Sequence, residues 1–140
     1  SAHNMQQSFA GSDFSNDDMA FTSWPGNYTA EIKSQDDNYW ILTCTAIPGK
    51  SAPYPAAEAK VKKGTYQLDA YTFFDEAGKP IKSFENSDLT DFGGGLMRNK
   101  TILVTDLRTG HKTQLEIHEF KVNQKVPDSK FTQRELEWGR

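Results

Sequence analysis

The chain has 140 residues, and its 19 acidic and 16 basic side chains give a formal net charge of −3, which disfavours a general nucleic-acid-binding role. Nine Phe, five Tyr and three Trp suffice for the core of one domain. A single cysteine excludes an intramolecular disulfide, and no run approaches the ~18 apolar residues of a membrane-spanning helix.

The first 24 residues predict only a short helical element. Residues 1–8 lack the apolar centre of a signal peptide and are expected to be a disordered or artificially added tail. Ser15 or Asn16 can cap a helical turn over 17–19, where acidic side chains favour a helix start. Residues 9–140 are predicted to form a single domain.

Residues 28–47 predict two antiparallel strands joined by a turn at 36–38. Apolar and polar residues alternate in the first strand, as in a half-buried strand, and the second strand is more apolar. The apolar side chains expected to share a face within each strand are Tyr28, Ala30 and Ile32 in the first, and Trp40, Leu42, Cys44 and Ala46 in the second.

Residues 48–57 contain three prolines and a glycine, which a central strand does not tolerate, so they predict a surface loop. A short strand over 59–63 is expected to follow. Its lysines, Lys60, Lys62 and Lys63, have two interpretations. The favoured one is a charged edge strand that resists mispairing, and the other is contact with lipid headgroups.

Two further hairpins are predicted around Gly78 and Gly110, because glycine readily takes the positive φ that these turns require. The first pairs 66–74 with 80–86. Its apolar side chains are expected to divide between the two faces, with Tyr66, Leu68, Ala70 and Phe74 on one side and Tyr71 and Phe73 on the other.

The three glycines at 93–95 predict a flexible crossing to the last hairpin. If Thr105 faces Thr113 in that hairpin, strict alternation places four apolar side chains on one face: Leu103, Leu107, Leu115 and Ile117. Near the C-terminus, 132–135 has capping-box spacing, so a helical turn is slightly favoured there over a strand.

Several of these stretches, in this order, resemble the outer-membrane lipoprotein-sorting proteins related to LolA and LolB. The most specific is the run from Leu107 to Thr113, which continues to Glu116. The other matching residues are Gly11 to Phe14, Asp17 to Met19, Phe74, Asp75, Gly78, Lys79, Lys82, Val126 to Ser129, Phe131 and Thr132.

This resemblance implies a mainly β fold, a curved antiparallel sheet that forms an incomplete barrel with one or two short helical turns. Its concave apolar side would receive acyl chains of lipid or lipoprotein in the periplasm of a Gram-negative bacterium, without enzymatic activity or a cofactor. Family members usually carry a helix and several strands before the segment that resembles residues 11–14. That half is expected to be absent here, so the chain is interpreted as the C-terminal part of a longer protein. The arginine linked to lid control belongs to the absent half, so no gating residue is transferred.

An exposed apolar face and an open sheet edge favour association, so we also expect a homodimer that completes the barrel. The residues predicted to line the acyl-binding face are Ile32, Trp40, Leu42, Leu68, Leu103, Leu115 and Ile117. Two alternatives remain open: these side chains form an ordinary core, or the chain is an interaction module that docks on a membrane transporter or partner chain.

No catalytic or metal-binding residue is predicted. His118 and Glu119 begin like a zinc-protease helix, but Val122 occupies the position of the second histidine. Asp13, Ser15 and Asp17 have the first spacing of a calcium loop, but Trp24 replaces its bidentate glutamate. Cys44 lies in an apolar strand, where a thiol is usually a small buried side chain.

Overall fold

The structure is a computed structural model that describes residues 26–122 and 127–136, with side chains described for 26–118. It contains eight strands. They are β1 (Tyr28–Gln35), β2 (Tyr39–Ala46), β3 (Ala56–Lys62), β4 (Leu68–Phe74), β5 (Pro80–Asp91), β6 (Met97–Asp106), β7 (Lys112–Val122) and β8 (Pro127–Leu136). The predicted tail and the helical turn near Ser15 lie outside the described residues.

All eight strands form one antiparallel sheet in which each strand pairs with its neighbours in the sequence. Among the described residues, the order runs from β1 to β8 without a crossover, so β1 and β8 are the two edges and the sheet does not close. The predicted fold class, a mainly β curved sheet that forms an incomplete barrel, is confirmed. Antiparallel neighbours can be joined by short local turns, which this sequence supplies repeatedly.

Two of these turns are fixed by aspartate side chains. Asp36 Oδ1 accepts hydrogen bonds of 2.8 Å from the backbone N–H groups of Asn38 and Tyr39, which closes the β1–β2 turn without glycine. Asp75 closes the β4–β5 turn in the same manner, and there Gly78 takes a φ of 79°. Asx side chains of this kind replace a backbone turn, as the sequence predicts.

The pairing register separates apolar from polar side chains. A row of residues directly opposite one another on neighbouring strands consists of Ile32, Leu42, Ala59, Tyr71, Phe84, Val104 and Thr113. The adjacent row consists of Thr43, Glu58, Thr72, Ser83, Thr105 and Lys112. Because successive side chains point to opposite sides of a strand, the first row defines an apolar face and the second a polar face.

The core lies on the apolar face and is built around stacked aromatic rings. The Tyr71 and Phe84 ring centroids are 4.5 Å apart, and the ring of Phe73 meets both edge-on. The loop between β2 and β3 adds Tyr54, whose ring stacks on Phe73 at 4.1 Å. Tyr28 holds this loop, because its hydroxyl donates a 2.9 Å hydrogen bond to the Tyr54 carbonyl.

The glycines at 93–95 form a tight turn between β5 and β6, so the predicted flexible crossing is wrong. All three glycines have positive φ, and the Leu96 N–H donates to the Gly93 carbonyl. Strand β5 runs on to Asp91, whereas its pairing with β4 ends at Glu85. The distal parts of β5 and β6 therefore extend as a two-stranded ribbon.

The predicted register of the β6–β7 hairpin is wrong by one residue. Thr113 lies opposite Val104, and Thr105 lies opposite Lys112. The turn decides this register, because the backbone N–H of Asp106 donates to the His111 carbonyl and leaves four residues in the loop. A one-residue shift moves a side chain to the other face, and it places Leu103 on the polar face.

The predicted face of Leu68 is wrong because β4 contains a bulge. Lys60 pairs with Ala70 but Val61 pairs with Leu68, so Asp69 is an extra residue in the strand. Leu68 consequently lies on the apolar face with Tyr71, rather than on the opposite side. It packs against the buried core.

Two further expectations are wrong because strand pairing prevails over local signals. The predicted helical turn at 132–135 lies within β8, which pairs with β7 over most of its length. Strand β3 pairs with β2 on one side and β4 on the other, so its lysines do not protect an edge. Local capping propensity is small compared with tertiary pairing of this extent.

Replacing Phe73 by alanine should lower the free energy of unfolding by about 3–5 kcal/mol, because this side chain is fully buried among other rings. Urea denaturation monitored by circular dichroism measures the loss. The control is Leu107→Ala, a change at a turn position that is 42% exposed, which should cost less than about 1 kcal/mol. Equal losses for the two variants would contradict the assigned core.

Candidate apolar binding face

The structure brings six of the seven predicted lining residues onto the apolar face. The register places Ile32, Leu42, Trp40, Leu68, Leu115 and Ile117 there. Leu103 is the exception, because it pairs with Gln114 and Glu85 on the polar face. The predicted lining residues therefore lie on both faces of the sheet, six on the apolar face and Leu103 on the polar face.

These six residues form two groups that differ in exposure. Leu115 and Ile117 are 1% and 6% exposed and belong to the core, as the alternative interpretation of an ordinary core predicts for them. Trp40, Leu42 and Leu68 are half-buried, and Ile32 is 56% exposed. Only the second group presents apolar surface that a ligand can contact.

The accessible group is completed by Val61, which the sequence prediction missed. Val61 lies directly opposite Trp40 on one side and Leu68 on the other, so it connects β2 to β4. We call the surface of Ile32, Trp40, Leu42, Val61 and Leu68 the apolar platform. The alternation of Val61 between Lys60 and Lys62 is a signal that could have identified it.

An aromatic pair forms one border of the apolar platform. The ring of Tyr66 stacks on Trp40 with centroids 5.6 Å apart, and Lys63 Nζ lies 5.5 Å from the Trp40 ring centroid. Lys63 also donates a 2.7 Å hydrogen bond to Gln35 Oε1. A cation over an aromatic face is electrostatically favourable and holds the ring in place.

The polar face carries an open groove of about 410 Å³. Its floor contains the small side chain of Ala70 between Lys60 and Glu85, with which it is directly paired. Asp69 lines the same groove and accepts a hydrogen bond from Tyr39, which raises the pKa of that tyrosine. The groove has a mixed polar lining that also includes Ser87, Thr101, Leu103 and Gln114.

Two further ionisable groups have perturbed pKa values for structural reasons. Burial raises the pKa of the Cys44 thiol to about 11. Burial opposes the ionisation of Asp106, but hydrogen bonds from the side chain and backbone N–H of Arg108 outweigh it and lower the pKa of that carboxyl group. Neither group adjoins a nucleophile–base pair among the described residues.

The described part of the chain lacks two features, a membrane-spanning helix and a metal-binding cluster. Residues 26–122 and 127–136 contain no helix that is both long and apolar enough to cross a membrane. They also contain no group of three or more His, Cys, Asp or Glu residues placed to hold a metal ion.

A family model with the description "uncharacterized protein" matches residues 1–138. The chain belongs to this family. No curated protein matches it significantly. Comparison with solved structures shows the LolA-like fold, which confirms the resemblance seen in the sequence at the level of the fold.

Three solved structures are similar to this chain. One, from Vibrio parahaemolyticus, is described as a candidate outer-membrane lipoprotein-sorting domain, with 19% identity, a TM-score of 0.67 and coverage of 98% of this chain and 55% of that one. A LolA superfamily protein from Nitrosomonas europaea has 20% identity, a TM-score of 0.65 and coverage of 97% and 57%. A DUF1329 family protein from Desulfovibrio piger has 22% identity, a TM-score of 0.72 and coverage of 81% and 49%.

The chain therefore spans about half the length of these structures. At these identities the similarity establishes the fold alone.

The raised pKa of Cys44 predicts a slow reaction with a thiol reagent at pH 8. The folded-state pKa of about 11 lies above the ordinary thiol value of 9.0, so the folded thiolate fraction should be about 100-fold lower than in the unfolded chain. Rates measured with and without denaturant test this. Because the folded pKa is raised, the associated stability should be fully present below pH ~9 and lost as the pH rises through ~11.

A Cys44 that reacts at the same rate in the folded and unfolded chain would contradict its placement in the core.

Proposed function

We propose that the protein binds acyl chains of lipid or lipoprotein on the apolar platform, without enzymatic chemistry. The observation that supports this proposal is an accessible apolar surface, from Ile32 to Leu68, on the same face as a well-packed aromatic core. The opposite face is polar, so the sheet offers a water-avoiding ligand one side only.

The driving force would be the removal of apolar surface from water, at about 25 cal/mol per Å². A flexible acyl chain can follow the row from Ile32 to Leu42 and the parallel row through Trp40, Val61 and Leu68. Binding of this kind needs no covalent step and no cofactor. The half-buried side chains supply contact area without requiring the core itself to open.

The similar structures support the class of ligand. One is described as a candidate outer-membrane lipoprotein-sorting domain and another as a LolA superfamily protein. We infer from this fold that the chain acts in lipid or lipoprotein trafficking to the outer membrane, in the periplasm of a Gram-negative bacterium. Since the chain spans about half of each of those structures, the transfer of their roles is part of the proposal.

Displacement of a fluorescent fatty acid tests the proposal through two matched leucines. Leu42→Ser removes a methyl-rich side chain from the apolar platform and should weaken binding about tenfold, whereas Leu103→Ser makes the same change on the polar face and should leave binding within about twofold. Both leucines are half-buried within the sheet. Their denaturation midpoints show whether each variant is folded.

Absence of uptake by the folded wild-type chain at high fatty-acid concentration would overturn the acyl-binding proposal. It would favour instead the interaction module that the sequence leaves open. Equal weakening by the two leucine variants would contradict the assignment of the ligand to one face.

We also propose the homodimer that the sequence predicts, with pairing along β1. This strand is an edge, and all of its residues after Tyr28 are exposed. The bulge between Ile32 and Ser34 leaves Lys33 at the edge, a feature that weakens such pairing.

Sedimentation velocity at micromolar concentration should detect dimer, and Ile32→Pro, which cannot donate a ladder hydrogen bond, should shift it to monomer.

Wild-type chain that sediments only as monomer would contradict this assembly, and it would leave the acyl-binding proposal intact.

A further inference from the structure

One end of the sheet concentrates the exposed apolar side chains. In an uninterrupted antiparallel meander, the β1–β2, β3–β4 and β5–β6 turns lie at the same end, and the β2–β3, β4–β5 and β6–β7 turns lie at the opposite end. Of the five large hydrophobic side chains that are exposed in the described part of the chain, Tyr66, Leu89 and Met97 lie at or beside those turns, and Ile32 lies four residues before the first. We call this the aromatic end, after Trp40 and Tyr66.

The backbone holds Tyr66 in a conformation that favours its exposure. Tyr66 has a φ of 59°, which is rare for a bulky residue, and its side chain is 73% exposed. Its N–H donates to the Lys62 carbonyl and its ring stacks on Trp40, so the surrounding contacts maintain the strained turn. An exposed tyrosine in this conformation does not contribute to the buried core, and it calls for a role outside the fold.

Cationic side chains surround the rings at the aromatic end. Lys63 Nζ lies 5.5 Å from the Trp40 ring centroid, Lys60 Nζ lies 4.3 Å from the Tyr39 ring centroid, and Lys62 is exposed. Because β3 is an interior strand, protection of an edge does not explain these three lysines. The interpretation that remains from the sequence is contact with lipid headgroups.

Carboxylates also lie near this end, and hydrogen bonds engage several of them. Asp36 accepts two backbone N–H groups of its own turn, Asp69 accepts the Tyr39 hydroxyl, and Glu58 pairs with Lys33 at 2.8 Å. At distances greater than a Debye length from the surface, these acids offset much of the positive charge of the lysines. Lysine side chains would therefore act at short range, against the net negative charge of anionic headgroups, and not by long-range attraction.

We propose that the aromatic end docks on the surface of a bilayer that contains anionic phospholipids. Trp and Tyr rings prefer the headgroup level of a membrane, where one part of the ring is apolar and another is polar. Lysine stems can extend along the same layer and place their ammonium groups against lipid phosphates. This contact lies beside the apolar platform but does not depend on acyl binding there.

Co-sedimentation with vesicles tests the docking surface directly. The full chain is mixed with vesicles of phosphatidylglycerol and phosphatidylcholine in equal parts, and with phosphatidylcholine alone. We expect binding to the mixed vesicles and at least fivefold weaker binding to the neutral ones. Equal binding to both compositions, or no binding to either, would overturn the proposal.

Paired lysine variants distinguish binding through the aromatic end from a general effect of net charge. Lys62→Gln/Lys63→Gln should weaken binding to mixed vesicles about tenfold, whereas Lys50→Gln/Lys79→Gln, with the same net charge at the opposite end, should bind within about twofold of wild type. Tyr66→Asn keeps a residue that tolerates positive φ but removes the ring, and should weaken binding about fivefold.

Equal effects of the two lysine pairs would refute the location. Failure of vesicle binding with normal uptake of fluorescent fatty acid would reject this inference alone, and the reverse result would reject only the acyl-binding proposal. Circular dichroism of each variant excludes loss of the fold as the cause.

Discussion

The fold depends on one constraint, the pairing register that keeps apolar side chains opposite one another across the sheet. The row from Ile32 through Phe84 to Val104 exists because each strand pairs with its neighbour in a register that places these residues directly opposite one another. In a strand, a shift of one residue would move the entire row to the other side. The aromatic core, the apolar platform and the polar face all follow from this alignment.

The sequence predicts the features that local chemistry decides. Alternation reveals β1 and β2, and the turns at Asp75 and Gly110 are recognisable because an Asx side chain or a positive φ determines them. The faces of Leu68 and Leu103 are not predictable in this way. The first depends on a bulge at Asp69, and the second on a backbone hydrogen bond from Asp106 to His111.

In the candidate site, too, some features follow from local sequence and others only from the assembled sheet. Five of the seven predicted lining residues lie on the apolar face because alternation within a strand is a local property, and Leu68 joins them through the bulge in β4. Their exposure is a property of the whole fold, and it differs from 1% at Leu115 to 56% at Ile32. Composition does not distinguish a core leucine from a ligand-contacting one, so the accessible platform emerges only from the assembled sheet.

The location of the apolar platform connects the two proposals. It lies beside the aromatic end, where Trp40 belongs to both surfaces and Tyr66 extends beyond it. A ligand that leaves a membrane would thus meet the exposed rings first and the half-buried side chains of Leu42 and Leu68 next. Partial burial of these side chains suits reversible contact, since a completed core would have no surface left for a ligand.

We propose that this sheet has one face for an apolar ligand. Nuclear magnetic resonance with a spin-labelled fatty acid and methyl-labelled protein tests it, because the label broadens signals of nearby methyl groups only. We expect broadening of the Ile32, Leu42 and Leu68 methyl signals with sharp signals for Leu103. Broadening confined to Leu103, or equal broadening on both faces, would contradict it.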